Sequence, residues 1–192
     1  MKKLFVLATL MLFALNINAQ TWTIDKAHSK VQFTVTHLVI SEVTGHFKSY
    51  TGSITATKDD FSDAKIDFTV DIKSINTDNE QRDNHLKSDD FFNAEKFPQM
   101  TFKGKSMKNM GNNKYQLTGD LTIRDVTKEV TLDVVHNGTV KDPWGNTKAG
   151  FKITGALNRF DYNLKWNTLT ELGGAVVGRT VNIVIDLQLQ KS

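Results

Sequence analysis

From Val31 onward the chain alternates between apolar and polar positions. Val31, Phe33, Val35, His37 and Val39 share one register while Gln32, Thr34 and Thr36 share the other, the period-two signature of a strand with one greasy and one wet face. The pattern recurs in Ile66, Phe68, Val70 and Ile72, in Leu117, Gly119, Leu121 and Ile123, and in Val130, Leu132 and Val134. It returns in Phe151, Ile153, Gly155 and Leu157, and in Val181, Ile183, Ile185, Leu187 and Leu189. Turn-forming residues separate the runs at Lys58 to Asp60, Asn109 to Asn113, Asn137 to Gly138, Asp142 to Asn146 and Leu172 to Gly174. Short connections between such strands make neighbours antiparallel. The chain is therefore expected to be all-β, with eight or nine strands forming either a sandwich or a closed barrel. Two features favour the barrel: a long last strand from about Val177 to Gln190, and glycines inside strands at Gly52, Gly119 and Gly155, where a curving sheet needs them.

One segment departs from alternation. Thr77 is followed three residues later by Glu80, a capping-box signature, and no β-branched residue occurs between Asn79 and Lys87, so a helix of two or three turns is predicted there. Its apolar content is low. Leu86, with Phe91, Phe92 and Phe97 after it, would dock the helix across an end of the barrel.

Charge and cysteine content narrow the class. Lys2 and Lys3 precede an apolar run from Leu4 to Leu15, and Asn16 to Ala19 reads as a cleavage site. Residues 1–19 are thus expected to be a signal peptide, too short to span a bilayer, with a domain at 20–192 that is periplasmic or secreted and has no stable membrane anchor. The formal net charge is +3 with 24 basic residues, two of them in the leader, which leaves 22 basic against 21 acidic residues and removes the case for a nucleic-acid partner. There is no cysteine, so stability must come from the core and from backbone pairing.

Candidate chemistry is sparse. No histidine spacing suits a metal site, no G-x-S-x-G occurs, and Gly173–Gly174 lacks the residues that complete a phosphate loop. Arg82, Asp83 and His85 suggest acid–base work, but on a helix positions 83 and 85 point apart, and anchoring of the helix to a neighbouring strand is the simpler reading. His37 stands in the inward register of its strand, either as a bonded core histidine or as a polar group reaching a ligand cavity. Twelve phenylalanines against three tyrosines supply bulk without hydrogen-bonding demand. They would either fill a barrel or line a void, and periodicity does not separate the two.

A run of short motifs in fixed order adds to this reading. Ile24 to Ser29, Val31 to His37, Gly45 to Phe47, Ser74 to Thr77, Arg82 to Leu86 with Asp90 to Phe92, Phe97–Pro98 and Phe102 come first. Gly119 to Ile123 with Val126 to Lys128, Asp142 to Gly145 and Gly150–Phe151 follow. Together they resemble the YceI-like, polyisoprenoid-binding family over essentially all of residues 20–192. The chain departs from that pattern at Arg124–Asp125, where many relatives carry a small turn pair.

The resemblance implies a single extended eight-stranded lipocalin-like barrel, exported, whose apolar tunnel takes an isoprenoid or another long-chain amphiphile such as a quinone, a polyprenyl phosphate or a fatty-acid amide. It implies no catalytic constellation, no metal and no cofactor. The expected lining is Phe33, Val35, Phe47, Ile66, Phe68 and Val70 on the early strands, with Phe102, Leu121, Ile123, Phe151, Ile153, Ile183 and Ile185 on the later ones. Leu86, Phe91 and Phe92 would cover one mouth, and His37 or Arg82 would meet the polar head. Two other readings stand beside it: a lipid-modifying enzyme using His37, and a stress-related exported domain with a solid core and a protein partner. A monomer and a homodimer are both left open.

Overall fold

A computed structural model describes residues 19–171 and 174–192. The expected leader, and Leu172 and Gly173 of the expected turn, lie outside the described residues. Among the described residues, eleven strand segments form one antiparallel sheet. They are β1 (Gln20–Ile24), β2 (Lys30–His37), β3 (Ser41–Phe47), β4 (Tyr50–Ala56), β5 (Lys65–Asp71), β6 (Ile75–Asn76), β7 (Gln99–Gly111), β8 (Lys114–Ile123), β9 (Val126–Lys141), β10 (Thr147–Asn158) and β11 (Val177–Lys191).

The sheet closes because β11 pairs with β10 along one edge and with both β1 and β2 along the other. Three breaks account for the excess over eight strands. A 3₁₀ turn at Lys26–His28 interrupts β1 and β2, residues 48–49 interrupt β3 and β4, and a 3₁₀ turn at Ile72–Ser74 interrupts β5 and β6. In each case the two halves continue one path along the same neighbour: β4 and β3 meet β5 and β6 in turn, as they meet β1 and β2 on the other side. The result is a closed eight-stranded antiparallel barrel with one short helix.

Two of the breaks have a local cause. The Asp25 carboxylate accepts from the Ala27 amide, and the Asp71 carboxylate from the Lys73 amide, the turn chemistry that pulls a strand out of its ladder. Asn112 and Asn113 both have positive φ, at 51° and 59°, and make the tight β7–β8 hairpin. The expected turn at Asn137–Gly138 is instead a bulge within β9. The register against β10 shifts between Gly150 and Phe151, leaving Asn137 unpaired, and Gly138 takes a φ of 126°. The chain reverses at Asp142 to Asn146, where the Asp142 carboxylate accepts from the amides of Trp144 and Asn146.

The helix α1 (Glu80–Lys87) is capped by the Asn79 side chain, which accepts from the Arg82 amide. The expected Thr77–Glu80 box does not form. Thr77 gives both its amide and its hydroxyl to one oxygen, Oδ1, of the buried Asp83 carboxylate, which has lone pairs for both.

Candidate functional site

The barrel is hollow, which excludes the solid-core reading. A continuous cavity of about 220 Å³ runs along its axis, walled almost wholly by carbon. The inward register of β11 supplies Val177, Val181, Ile183, Ile185, Leu187 and Leu189 to it. Sixteen of the expected residues border it: Phe33, Val35, Phe47, Ile66, Phe68, Val70, Leu86, Phe91, Phe92, Phe102, Leu121, Ile123, Phe151, Ile153, Ile183 and Ile185.

The two expected head-group residues do not. His37 is the last residue of β2, because Leu38 and Val39 turn away with φ of 51° and 65°, and it stands beyond the cavity wall. The inward register of β2 thus ends at Val35, and Val39 is 67% exposed. Arg82 is turned onto the strand it follows: its Nε donates to the Thr77 hydroxyl at 2.7 Å and its Nη2 to the Thr77 carbonyl at 2.6 Å. Together with Asp83 it ties α1 to the end of β6. His85 faces away from Asp83 and meets Asp90 at 2.9 Å, its ring edge-on to Phe91 and Trp166.

One end of the cavity is closed by rings. Phe61, held in the β4–β5 loop at a φ of 59°, packs against Trp22 at 5.0 Å and edge-on to Phe151 at 4.9 Å between ring centres. His136 stacks on Phe151 at 4.8 Å, and burial depresses its basicity below the usual histidine value. The loop is pinned beneath by Asp63, which accepts from the amides of Thr57 and Lys58 and from the Thr57 hydroxyl.

The other end is covered by α1, by residues 88–97 folded back over its C-terminus, and by a 3₁₀ turn at Arg159–Tyr162. Two arginines hold this cover. Arg124 donates from Nη1 to the carbonyls of Asp89 and Phe91 at 2.9 and 2.6 Å, and from Nη2 to the Asp89 carboxylate at 3.0 Å. Arg159, 3% exposed, donates to the carbonyls of Gly178, Leu164, Trp166 and Val177. Sequence reasoning took Arg124 only as a departure from the family's small turn pair and passed over Phe61, Arg159 and Tyr162, none of which lies in an alternating run. Leu132, Leu157 and Val181 also border the cavity, and they were readable from the same alternation that gave their neighbours.

The geometry can now be set beside known proteins. The model of the YceI-like domain matches residues 22–189. The chain belongs to that family. A UPF0312 protein of Staphylococcus aureus strain N315 is 40% identical over 161 residues, which is 83% of this chain and 91% of the relative. The crystal structure of the YceI protein of Campylobacter jejuni is 38% identical, with a TM-score of 0.70 over 88% of this chain and 97% of that one. A polyisoprenoid-binding domain from Saccharophagus degradans, at 14% identity and a TM-score of 0.64 over 89% and 98% of the two chains, shares the fold. In this YceI-like chain the family match spans both the barrel wall and the arginine-held cover, Arg124 and Arg159 included.

Proposed function

We propose that this protein is an exported, non-catalytic carrier or scavenger that takes the hydrocarbon chain of an isoprenoid or similar long-chain amphiphile into its barrel. The observation that carries this reading is the shape and chemistry of the cavity together. Its wall on β11 extends from Val177 to Leu189, a path of roughly 40 Å at the strand rise of about 3.3 Å per residue. A long, narrow, carbon-lined space suits an extended tail and offers little to a compact polar metabolite. The name of the Saccharophagus degradans relative, a polyisoprenoid-binding domain, supports the same class of guest. Export is supported by Lys2 and Lys3 ahead of the apolar run from Leu4 to Leu15.

Burial sets the energetics. At about 25 cal/mol per Å² of apolar surface removed from water, a chain hiding some 400 Å² gains on the order of 10 kcal/mol before the costs of association. Tail length therefore dominates affinity. The test is native mass spectrometry of the protein purified from its own host, followed by organic extraction. A lipid adduct of defined mass, and affinity for prenols that rises with each added isoprene unit, are expected. Protein that carries no lipid and is not stabilised by any prenol would overturn the reading.

A further inference from the structure

The cavity is carbon almost everywhere, and among the described residues Arg159 is the one charged residue on its border, with Tyr162 in the same short turn. Arg159 and Tyr162 begin and end the 3₁₀ turn after β10, both border the cavity, and they are 3% and 2% exposed. The acceptors around Arg159 are all neutral main-chain carbonyls, with its guanidinium lying 4.2 Å from the Phe160 ring centre. Among the described residues no carboxylate comes within ion-pair distance of it. Asp161, its neighbour in the turn, is half exposed and faces Lys128 at 3.6 Å.

A guanidinium keeps its charge under such conditions, and carbonyl dipoles offset only part of the cost of taking it from water. Burial lowers the proton affinity of Arg159 below its ordinary value, in keeping with a charge that lacks a counter-ion. Its Nη2 makes one hydrogen bond, to Val177, and so retains one N–H to give. The Tyr162 hydroxyl is buried with no hydrogen-bond partner, a state that native proteins rarely leave without a use. A buried cation without a counter-ion and a buried donor without an acceptor thus border the same void. An anionic oxygen within reach of both would supply what each lacks.

We propose that Arg159 and Tyr162 form the head-group subsite of the barrel, and that the amphiphile it takes carries an anionic oxygen head, a carboxylate or a phosphate. This rests on the carrier reading above and adds the chemistry of the head to it. Arg159 also ties Val177 and Gly178 of β11 to residues 164–166, so an anion drawn to its free face would sit where the cover meets the wall.

The test uses one tail with three heads: geranylgeraniol, geranylgeranoic acid and geranylgeranyl monophosphate, titrated calorimetrically into delipidated protein. At least one of the two anions should bind about tenfold or more tightly than the alcohol, the scale of a hydrogen bond to a charged group out of water. Which of them does so assigns the head within the class. Tyr162→Phe, which keeps the ring and its packing, should cut that preference several-fold, and Arg159→Gln should bring it near unity. Should the arginine variant fail to fold, the tyrosine variant decides alone. Equal binding of alcohol and anions by the unaltered protein, or a preference that Tyr162→Phe leaves untouched, would overturn the head-group assignment while leaving the carrier reading standing. Failure of all three to bind would sink both.

Discussion

The two ends of this barrel are closed by opposite means. At one, Phe61, Trp22, Phe151 and His136 meet ring against ring, and closure is a matter of apolar area and dispersion. At the other, a helix and two loops leave main-chain carbonyls without partners, and Arg124 and Arg159 reach in to satisfy several of them each. A ladder of strands pairs its own backbone, whereas loops do not. Arginine, with five donors in a fixed fork, is the side chain best able to serve several loop carbonyls at once. The difference teaches that the ring end is closed by apolar packing over a loop that Asp63 pins, while the other end is held by two guanidinium groups bonded to loop carbonyls.

The contrast is broken most severely at Phe61. Phe61→Ala empties the centre of the ring cluster and should cost about 3–5 kcal/mol, a large share of the roughly 5–15 kcal/mol that holds a domain of this kind together. Urea unfolding should show the loss, and hydrogen exchange should place the new opening at the Trp22 and Phe151 end. Arg124→Ala comes next. It leaves the carbonyls of Asp89 and Phe91 without their donor, and an expected loss of about 2–3 kcal/mol follows from hydrogen bonds to a charged group. Here exchange should quicken across residues 86–94 with the ring end unchanged. Equal loss of protection at both ends in either variant would show that the two closures are not independent.

That asymmetry also decides what could be read from the chain beforehand. The wall was legible because Phe151, Ile153, Ile183 and Ile185 sit in strands whose ladders enforce a period of two, so register alone points them inward. The ends were not. Phe61 follows Asp59 and Asp60 in a polar loop, and only its left-handed backbone and the rings around it turn it inward. His37 fitted the inward register of β2, yet that register stops where the strand does, and two residues at positive φ stop it. Arg82 and Asp83 were legible as anchors, since Asp83 and His85 point apart on α1 and so suit no shared acid–base task, and both Arg82 and Asp83 close on Thr77. Arg124 and Arg159 act through contacts far along the chain, to residues 89–91 and 177–178, and no local pattern announces such pairings.

The smallest effect, and the most selective probe of the ring end, is its response to acid. Burial against Phe61 and Phe151 lowers the His136 pKa from its ordinary 6.5, only partly countered by a hydrogen bond from its ring to the Gly138 backbone and by the charge of Asp60. Because the folded value lies below the unfolded one, the unfolded chain takes up the proton first. Stability is therefore full above about pH 6.5, falls as pH drops through 6.5, and levels off once the folded pKa is passed. The slope contributed by this one group cannot exceed about 1.4 kcal/mol per pH unit. The Asp25 carboxyl, held down to about 2 chiefly by its bond from Lys148, loses its contribution only between pH 3.8 and about 2, so it does not intrude on this window. Thermal melts of the unaltered protein and of His136→Phe, compared from pH 8 to pH 5, cancel the other histidines. The difference in melting temperature between them should widen toward acid, in favour of the variant. A difference constant across that range would mean that His136 is charged within the ring cluster as readily as in water, and that the apolar account of this end is wrong.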